Sequence, residues 1–151
     1  MRRHALLALA LGLLLAADAP TQDATKKDRD KLQGTWRVVS VDDGDKKAPA
    51  DFWKRFSYTF QGDTVRFLGD NTTPGADLTF TYTLDAAKKP KAIDLKIIKS
   101  GDKKDIGKTQ LGIYRLDGDS LTICAGDRRP TEFAANAKLH TAVVVLKREK
   151  K

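Results

Sequence analysis

The chain has 151 residues, a formal net charge of +8 and a single cysteine. This length gives room for one domain, and one cysteine excludes an intrachain disulfide, so packing alone must stabilise the fold. The lysines are concentrated at predicted loop tips rather than interleaved with aromatic residues, which favours a role in solubility over nucleic-acid binding.

The N-terminus has the composition of an export signal. Arg2 and Arg3 precede an apolar run at residues 5–17, and Ala17-Asp18-Ala19 is a small-x-small cleavage pattern. A membrane span needs about 20 residues, so the 13-residue run predicts a removed signal and no stable membrane span afterwards. We therefore expect residues 1–19 to be cleaved, after Ala17 or Ala19, and the protein to be extracytoplasmic.

Residues 20–31 are polar and lack apolar periodicity, which predicts a linker or a short, weakly packed helix. A barrel domain is predicted at residues 32–149. Its first strand begins at Gly34, and Trp36 follows two places later. If the first and last strands are neighbours, the guanidinium of Arg148 could stack on the Trp36 ring. An ordinary core tryptophan beside a solvated basic tail is the alternative.

Residues 49–55 follow a turn and could form one helical turn, with Phe52 and Trp53 facing inward, or a simple loop. From there turn signals recur regularly between alternating apolar and polar runs, such as residues 78–84. About eight strands in sequence-adjacent hairpins result, with no amphipathic helix long enough to cover an open sheet. The sequence therefore predicts an all-β fold, an eight-stranded antiparallel up-and-down barrel of the lipocalin or calycin type.

Several motifs in one order support a family resemblance. They are LQGTW at 32–36, YTLD at 82–85, KKPKAIDL at 88–95, GIY at 112–114, LDGDSL at 116–121, RPTEF at 129–133 and LKR at 146–148. In these motifs the chain resembles a planctomycete family of exported lipocalin-like domains without established function. More distantly, Gly34-Thr35-Trp36 is similar to the glycine-x-tryptophan opening of lipocalins, and Arg148 to their arginine after the last strand. The resemblance implies a barrel and an extracytoplasmic location, and it implies no catalytic residues.

The sequence offers little for catalysis or metal binding. After export one histidine and one cysteine remain, too few for a zinc site, and the aspartate clusters lack calcium-loop spacing. Cys124 ends one strand and His140 begins the next, so a thiolate–imidazole pair is a hypothesis, although Cys124 is more simply a core or wall residue. We expect neither an enzyme nor a cofactor.

Residues 126–138 form the longest connection and contain a chemically varied loop. Phe133 could anchor this loop in the barrel mouth, while Arg129 pairs with Glu132 or reaches Asp94. The loop could then be an anion-binding rim or an ion-paired plug.

An eight-stranded barrel is either filled by side chains or holds one small ligand. We expect a monomeric, non-catalytic protein that binds a small apolar or amphipathic ligand at the barrel mouth. The alternative is a filled barrel that acts as a structural or protein-interaction module of the cell envelope, with an unknown protein partner. The predicted ligand-binding residues are Trp36, Tyr58, Phe60, Phe67, Phe80, Tyr82, Arg129, Glu132 and Phe133.

Overall fold

The computed structural model describes residues 19–45, 48–70, 72 and 77–151. The export signal predicted at residues 1–19 lies outside this part of the chain, apart from Ala19. The described elements are α1 (Ala19–Leu32), β1 (Gly34–Asp42), α2 (Ala50–Trp53), β2 (Ser57–Gln61), β3 (Thr64–Leu68), β4 (Asp77–Asp85), β5 (Lys91–Lys99), β6 (Thr109–Asp117), β7 (Ser120–Gly126) and β8 (Ala142–Arg148). Two short 3-10 turns lie at Lys103–Asp105 and Ala137–Leu139.

The eight strands form a closed antiparallel barrel in sequence order, which confirms the predicted fold class. Strands β1 and β8 close it, with Trp36 opposite Arg148 and Val38 opposite Leu146. A shift in register between Val38 and Ser40 bends β1 at the seam. Closure leaves no unpaired sheet edge.

Alternation along each strand places the larger apolar side chains inside the barrel. In β4, for example, Phe80 and Tyr82 are buried and belong to one core with Phe60 and Val65. The short helical turn predicted near residues 49–55 is present as α2, and its Phe52 and Trp53 pack against that core.

The barrel has two different ends. The α1 end carries helix α1 and the tight connections at residues 62–63, 86–90 and 118–119. The α2 end carries helix α2 and the longer connections at residues 100–108 and 127–141.

Of the two alternatives predicted for residues 20–31, a linker or a short helix, the structure has the helix, because this segment belongs to α1. Leu32 at its C-terminus is fully buried in the core, but its other contacts include polar ones that apolar periodicity cannot reveal. Asp28 is only 6% exposed and accepts hydrogen bonds from Lys91 Nζ and Tyr114 Oη, both at 2.7 Å. Thr25 Oγ1 accepts a hydrogen bond from the Ala86 N–H at 3.1 Å.

The contact predicted between Trp36 and Arg148 is present and ties α1 to the barrel. The Arg148 guanidinium lies 4.2 Å from the centre of the Trp36 ring, and the indole N–H donates to the Leu32 carbonyl at 2.8 Å. Arg148 also donates to the carbonyls of Lys31 and Gln33, at the C-terminus of α1. A cation is favourable there because helix carbonyls are left unpaired and the helix dipole is negative.

Candidate functional site

A cavity of about 210 Å³ lies inside the barrel near the α2 end. Its lining comes from seven strands, which are all of the eight except β4, together with α2 and His140 in the connection before β8. The lining residues are Val38, Val41, Trp53, Tyr58, Phe67, Leu95, Gln110, Ile123, Ala125, His140, Ala142 and Val144.

The cavity exists because the inward side chains of two strands become smaller toward the α2 end. On both strands a leucine near the α1 end is followed by a β-branched residue and then by an alanine. The series is Leu121, Ile123 and Ala125 on β7, and Leu146, Val144 and Ala142 on β8. The same barrel is therefore filled at one end and hollow at the other.

Aromatic side chains form one wall of the cavity. The rings of Trp53 and Phe56 lie 5.5 Å apart, and Phe56 stacks on Phe67 at 5.4 Å with an interplanar angle of 7°. Phe67 in turn lies 5.0 Å from Tyr58. Such ring contacts add roughly 0.5–1.5 kcal/mol each beyond area burial, so they stabilise this wall.

Three lining residues have polar side chains: Tyr58, Gln110 and His140. Burial raises the pKa of Tyr58 to about 12, so its hydroxyl keeps its proton at neutral pH. His140 Nδ1 lies 2.7 Å from Asp127 Oδ2, and its side chain is largely exposed.

The indole Nε1 of Trp53 is buried and has no hydrogen-bond partner among the described residues. Buried N–H groups are nearly always paired, because an unmade hydrogen bond costs about 1–3 kcal/mol. The described part of the chain thus leaves this donor unsatisfied, and the nitrogen itself is not exposed to the cavity.

The predicted ligand-binding aromatic residues divide between the two ends. Tyr58 and Phe67 line the cavity, as the prediction requires. Trp36, Phe60, Phe80 and Tyr82 are at most 4% exposed, belong to the packed core and do not line this cavity. Tyr82 is held at the α1 end, where its hydroxyl donates to the Gly62 carbonyl at 2.8 Å.

The loop after β7 lies against the outer wall of the barrel. Arg129 donates to Asp94 Oδ1 on β5 and to the Gly112 carbonyl on β6, both at 2.7 Å. Asp94 is therefore the partner of Arg129, rather than the Glu132 side chain that the sequence left as the alternative. Since this arginine is committed to ion pairing, the arrangement favours a structural role for the loop.

The position predicted for Phe133, in the barrel mouth, is wrong. Its ring lies 4.9 Å from the guanidinium carbon of Arg115, an outward residue of β6, and it borders a surface groove with Val143 and Val145. Glu132 lies in the same loop, is exposed, and lines a separate surface pocket with Arg129. These three loop residues therefore do not line the cavity inside the barrel.

The outer wall under this loop forms a second small apolar layer. Ala92, Ile113 and Cys124 occupy one row of paired outward positions on β5, β6 and β7, and each is at most 4% exposed. The Cys124 thiol lies 3.7 Å from the carbonyls of Glu132 and Ala134. Burial raises the pKa of this thiol, although the hydrogen bond at Ala134 opposes the rise.

The hypothetical thiolate–imidazole pair is not formed. Cys124 faces outward beneath the loop, whereas His140 lines the cavity and has Asp127 as its partner. A thiol with a raised pKa and no base beside it is also a poor nucleophile.

Among the lining residues that carry a polar side-chain atom, sequence reasoning missed Trp53, Gln110 and His140 as ligand contacts. The sequence already predicts an inward direction for Trp53, and the alternation of β6 places Gln110 on the same inward face as Tyr114. His140 has a left-handed backbone, with φ of 47°, at the end of a 3-10 turn. No local sequence pattern predicts this backbone conformation, so the position of His140 at the cavity could not be predicted.

The fold and the cavity together define a closed eight-stranded up-and-down barrel with one helix-covered end and one hollow end. No protein-family model matches the chain, and neither a curated protein nor a solved structure matches it. In the described part of the chain, no helix has the length and apolar character needed to cross a membrane. Among those same residues, no group of three or more histidine, cysteine, aspartate or glutamate side chains is placed to hold a metal ion.

Proposed function

We propose that this protein is an exported, monomeric, non-catalytic binding protein whose ligand is a small apolar or amphipathic molecule held in the cavity at the α2 end. The observation that carries the proposal is an apolar cavity with a few polar groups inside an otherwise packed barrel, the usual character of a ligand site. The family resemblance brings no activity of its own, so the proposal depends on this cavity.

The volume limits the size of the ligand. An apolar cavity of about 150 Å³ can bind benzene, whereas sites for drug-sized ligands span roughly 300–1,000 Å³. At about 210 Å³, this cavity suits a molecule with one ring and a short substituent. Fatty acids and other long chains would need a change in the barrel.

The two tryptophans provide a matched pair of reporters for a binding test. Trp53 lines the cavity, while Trp36 is fully buried at the other end with its indole N–H bonded to Leu32. We would titrate the protein with α-methylstyrene and follow both indole N–H signals by ¹H–¹⁵N NMR, assigned with Trp53→Phe and Trp36→Phe. Saturable movement of the Trp53 signal with a stationary Trp36 signal is the expected result.

A cavity-filling variant supplies the control. Ala125→Leu should occupy the cavity and abolish binding, whereas Ala87→Leu makes the same change at an exposed turn of the α1 end and should leave binding intact. Binding that survives Ala125→Leu would place the probe elsewhere and contradict the proposal.

The alternative function, a structural or protein-interaction module, is favoured by one observation: bulky side chains pack the barrel at the α1 end. It predicts that neither indole signal moves with the probe.

A further inference from the structure

The two facing sides of the cavity indicate which class of small molecule it selects. We propose that the ligand is a single-ring aromatic molecule, bound with its ring between Phe67 and the Ala125–Ala142 pair and with its polar substituent at an opening beside Gln110 and His140. This inference rests on the proposed function, because it names the class of ligand for the same cavity.

Strand order places unlike side chains on opposite sides of the cavity. In a closed barrel of eight sequential strands, strands four places apart lie across from each other, so β3 faces β7. Phe67 on β3 and Ala125 on β7 both line the cavity, and Ala125 is paired with Ala142 on β8. A molecule in the cavity therefore contacts an aromatic ring on one side and small methyl groups on the other.

The aromatic side favours a ligand that itself carries an aromatic ring. Tyr58 lies 5.0 Å from Phe67 and also lines the cavity, so the rings of both residues are available to a ligand. Aromatic pairs gain stability beyond area burial in offset-stacked and in edge-to-face arrangements, so this gain does not require one particular orientation of the ligand ring. A saturated ring of similar size buries similar area but lacks the gain.

The opening of the cavity is identified by the exposure of its lining. Among the lining residues, only Gln110 and His140 are exposed. Leu111 pairs with Gly126, which places the next residues outward, Gln110 and Asp127, at the same rim of the barrel. His140 is at this rim too, because its Nδ1 lies 2.7 Å from Asp127 Oδ2. A polar substituent stays in contact with water and with polar side chains at this opening, whereas its burial among apolar groups would be costly.

Two alcohols that differ only in the ring test the selection. 2-Phenylethanol and 2-cyclohexylethanol carry the same hydroxyethyl substituent. Their hydration differs, so the informative quantity is the ratio of their affinities, phenyl over cyclohexyl, measured by titration calorimetry in wild type and in Phe67→Leu. We expect this ratio to fall by about 2- to 10-fold in Phe67→Leu, the range given by the loss of one aromatic contact.

Ile123→Ala is the matched control for cavity size. Ile123 lines the cavity from β7, the strand that faces Phe67. Phe67→Leu and Ile123→Ala remove the same number of carbon atoms from the lining, but only the first removes a ring. The affinity ratio in Ile123→Ala should therefore stay close to that of wild type. An equal fall in both variants would mean that the cavity selects by size, and the aromatic preference would be overturned.

NMR of the wild-type protein gives a readout that depends on neither variant. With 2-phenylethanol bound, the phenyl protons should show NOEs to the Phe67 ring and to the methyl groups of Ala125 and Ala142. The CH₂ protons next to the hydroxyl should show NOEs to Gln110 or His140. The reversed pattern, with the phenyl ring at Gln110 and His140, would overturn the proposed orientation.

The outcomes separate the inference from the proposed function. If α-methylstyrene and both alcohols bind but the affinity ratio is the same in wild type and Phe67→Leu, the cavity binds ligands and the aromatic preference is overturned. If α-methylstyrene binds and neither alcohol does, the placement of the polar substituent is overturned. Failure of all three probes to bind overturns the proposed function itself.

Discussion

Replacement of Arg148 by alanine tests how the α1 end of the barrel is held. The side chain stacks on Trp36, donates to the carbonyls of Lys31 and Gln33, and forms a 3.3 Å ion pair with Asp119. Stacking contributes about 0.5–2 kcal/mol, a charged hydrogen bond about 1.5–3 kcal/mol and the half-exposed ion pair less than about 1 kcal/mol. Because water can reach the freed carbonyls, we expect the free energy of unfolding to fall by about 2–4 kcal/mol.

Arg37→Ala is the matched control for this change. Arg37 also lies at the β1–β8 seam, but its 3.0 Å ion pair with Glu149 is about half exposed, so its loss should be below about 1 kcal/mol. Urea unfolding followed by tryptophan fluorescence measures both variants, with an unchanged m-value as the sign of two-state behaviour. Arg148→Lys keeps the charge without the planar fork and should give an intermediate value. Equal, small losses for Arg148→Ala and Arg37→Ala would refute the reasoning.

Three further predictions concern buried polar groups. The pKa of tyrosine is near 10 in the unfolded chain, whereas burial raises the pKa of Tyr58 to about 12 in the folded protein. Above pH 10 the folded state therefore binds more protons than the unfolded state, and the free energy of unfolding falls as pH rises. Tyr58→Phe should remove up to about 2 kcal/mol of that loss, as measured by urea unfolding at alkaline pH. Tyr114→Phe removes a 2.7 Å donor from the buried Asp28 carboxylate and should lower the free energy of unfolding by about 1–3 kcal/mol, which thermal unfolding will show as a drop of several degrees. Cys124 is fully buried and its pKa is raised, so a disulfide reagent such as DTNB should modify the thiol far more slowly in the folded protein than in the protein unfolded by guanidinium. Phe133→Ala should speed the reaction of the folded protein at least several-fold. A rate unchanged by that variant would mean that the loop does not protect the thiol.

The barrel could be predicted because its signal is local and repeated. Each hairpin carries a period-two pattern, as in residues 78–84, and each is bounded by turn residues. Closure then follows from the absence of an element that could cover a free edge. The pairing of Trp36 with Arg148 could be predicted for the same reason, since closure makes the first and last strands neighbours.

The packing of helix α1 against the barrel could not be predicted in the same way. A surface helix is recognised by an apolar stripe, but α1 buries one leucine, Leu32 at its C-terminus, and otherwise contacts the barrel through the carboxylate of Asp28 and the hydroxyl of Thr25. The partners of these groups, on β5, β6 and the turn at residue 86, are 61–86 residues away in sequence. Only the folded barrel brings them together. The outward position of Phe133 was missed for a related reason, because an aromatic residue in a loop has no period that assigns it to a face.

The cavity can be related to the sequence only when residues of two neighbouring strands are compared, because neither strand indicates it alone. Ala125 and Ala142 are paired neighbours on β7 and β8, and both stand where the inward series of their strands reaches the α2 end. Larger apolar residues at these two positions would extend the packed core, and cavities of this kind cost stability in proportion to their volume. Ala125→Leu is therefore expected to raise the melting temperature while it abolishes probe binding. A gain in stability coupled to a loss of binding would show that the leucine side chain and the probe compete for the same cavity, whereas binding that survives the substitution would place the probe elsewhere.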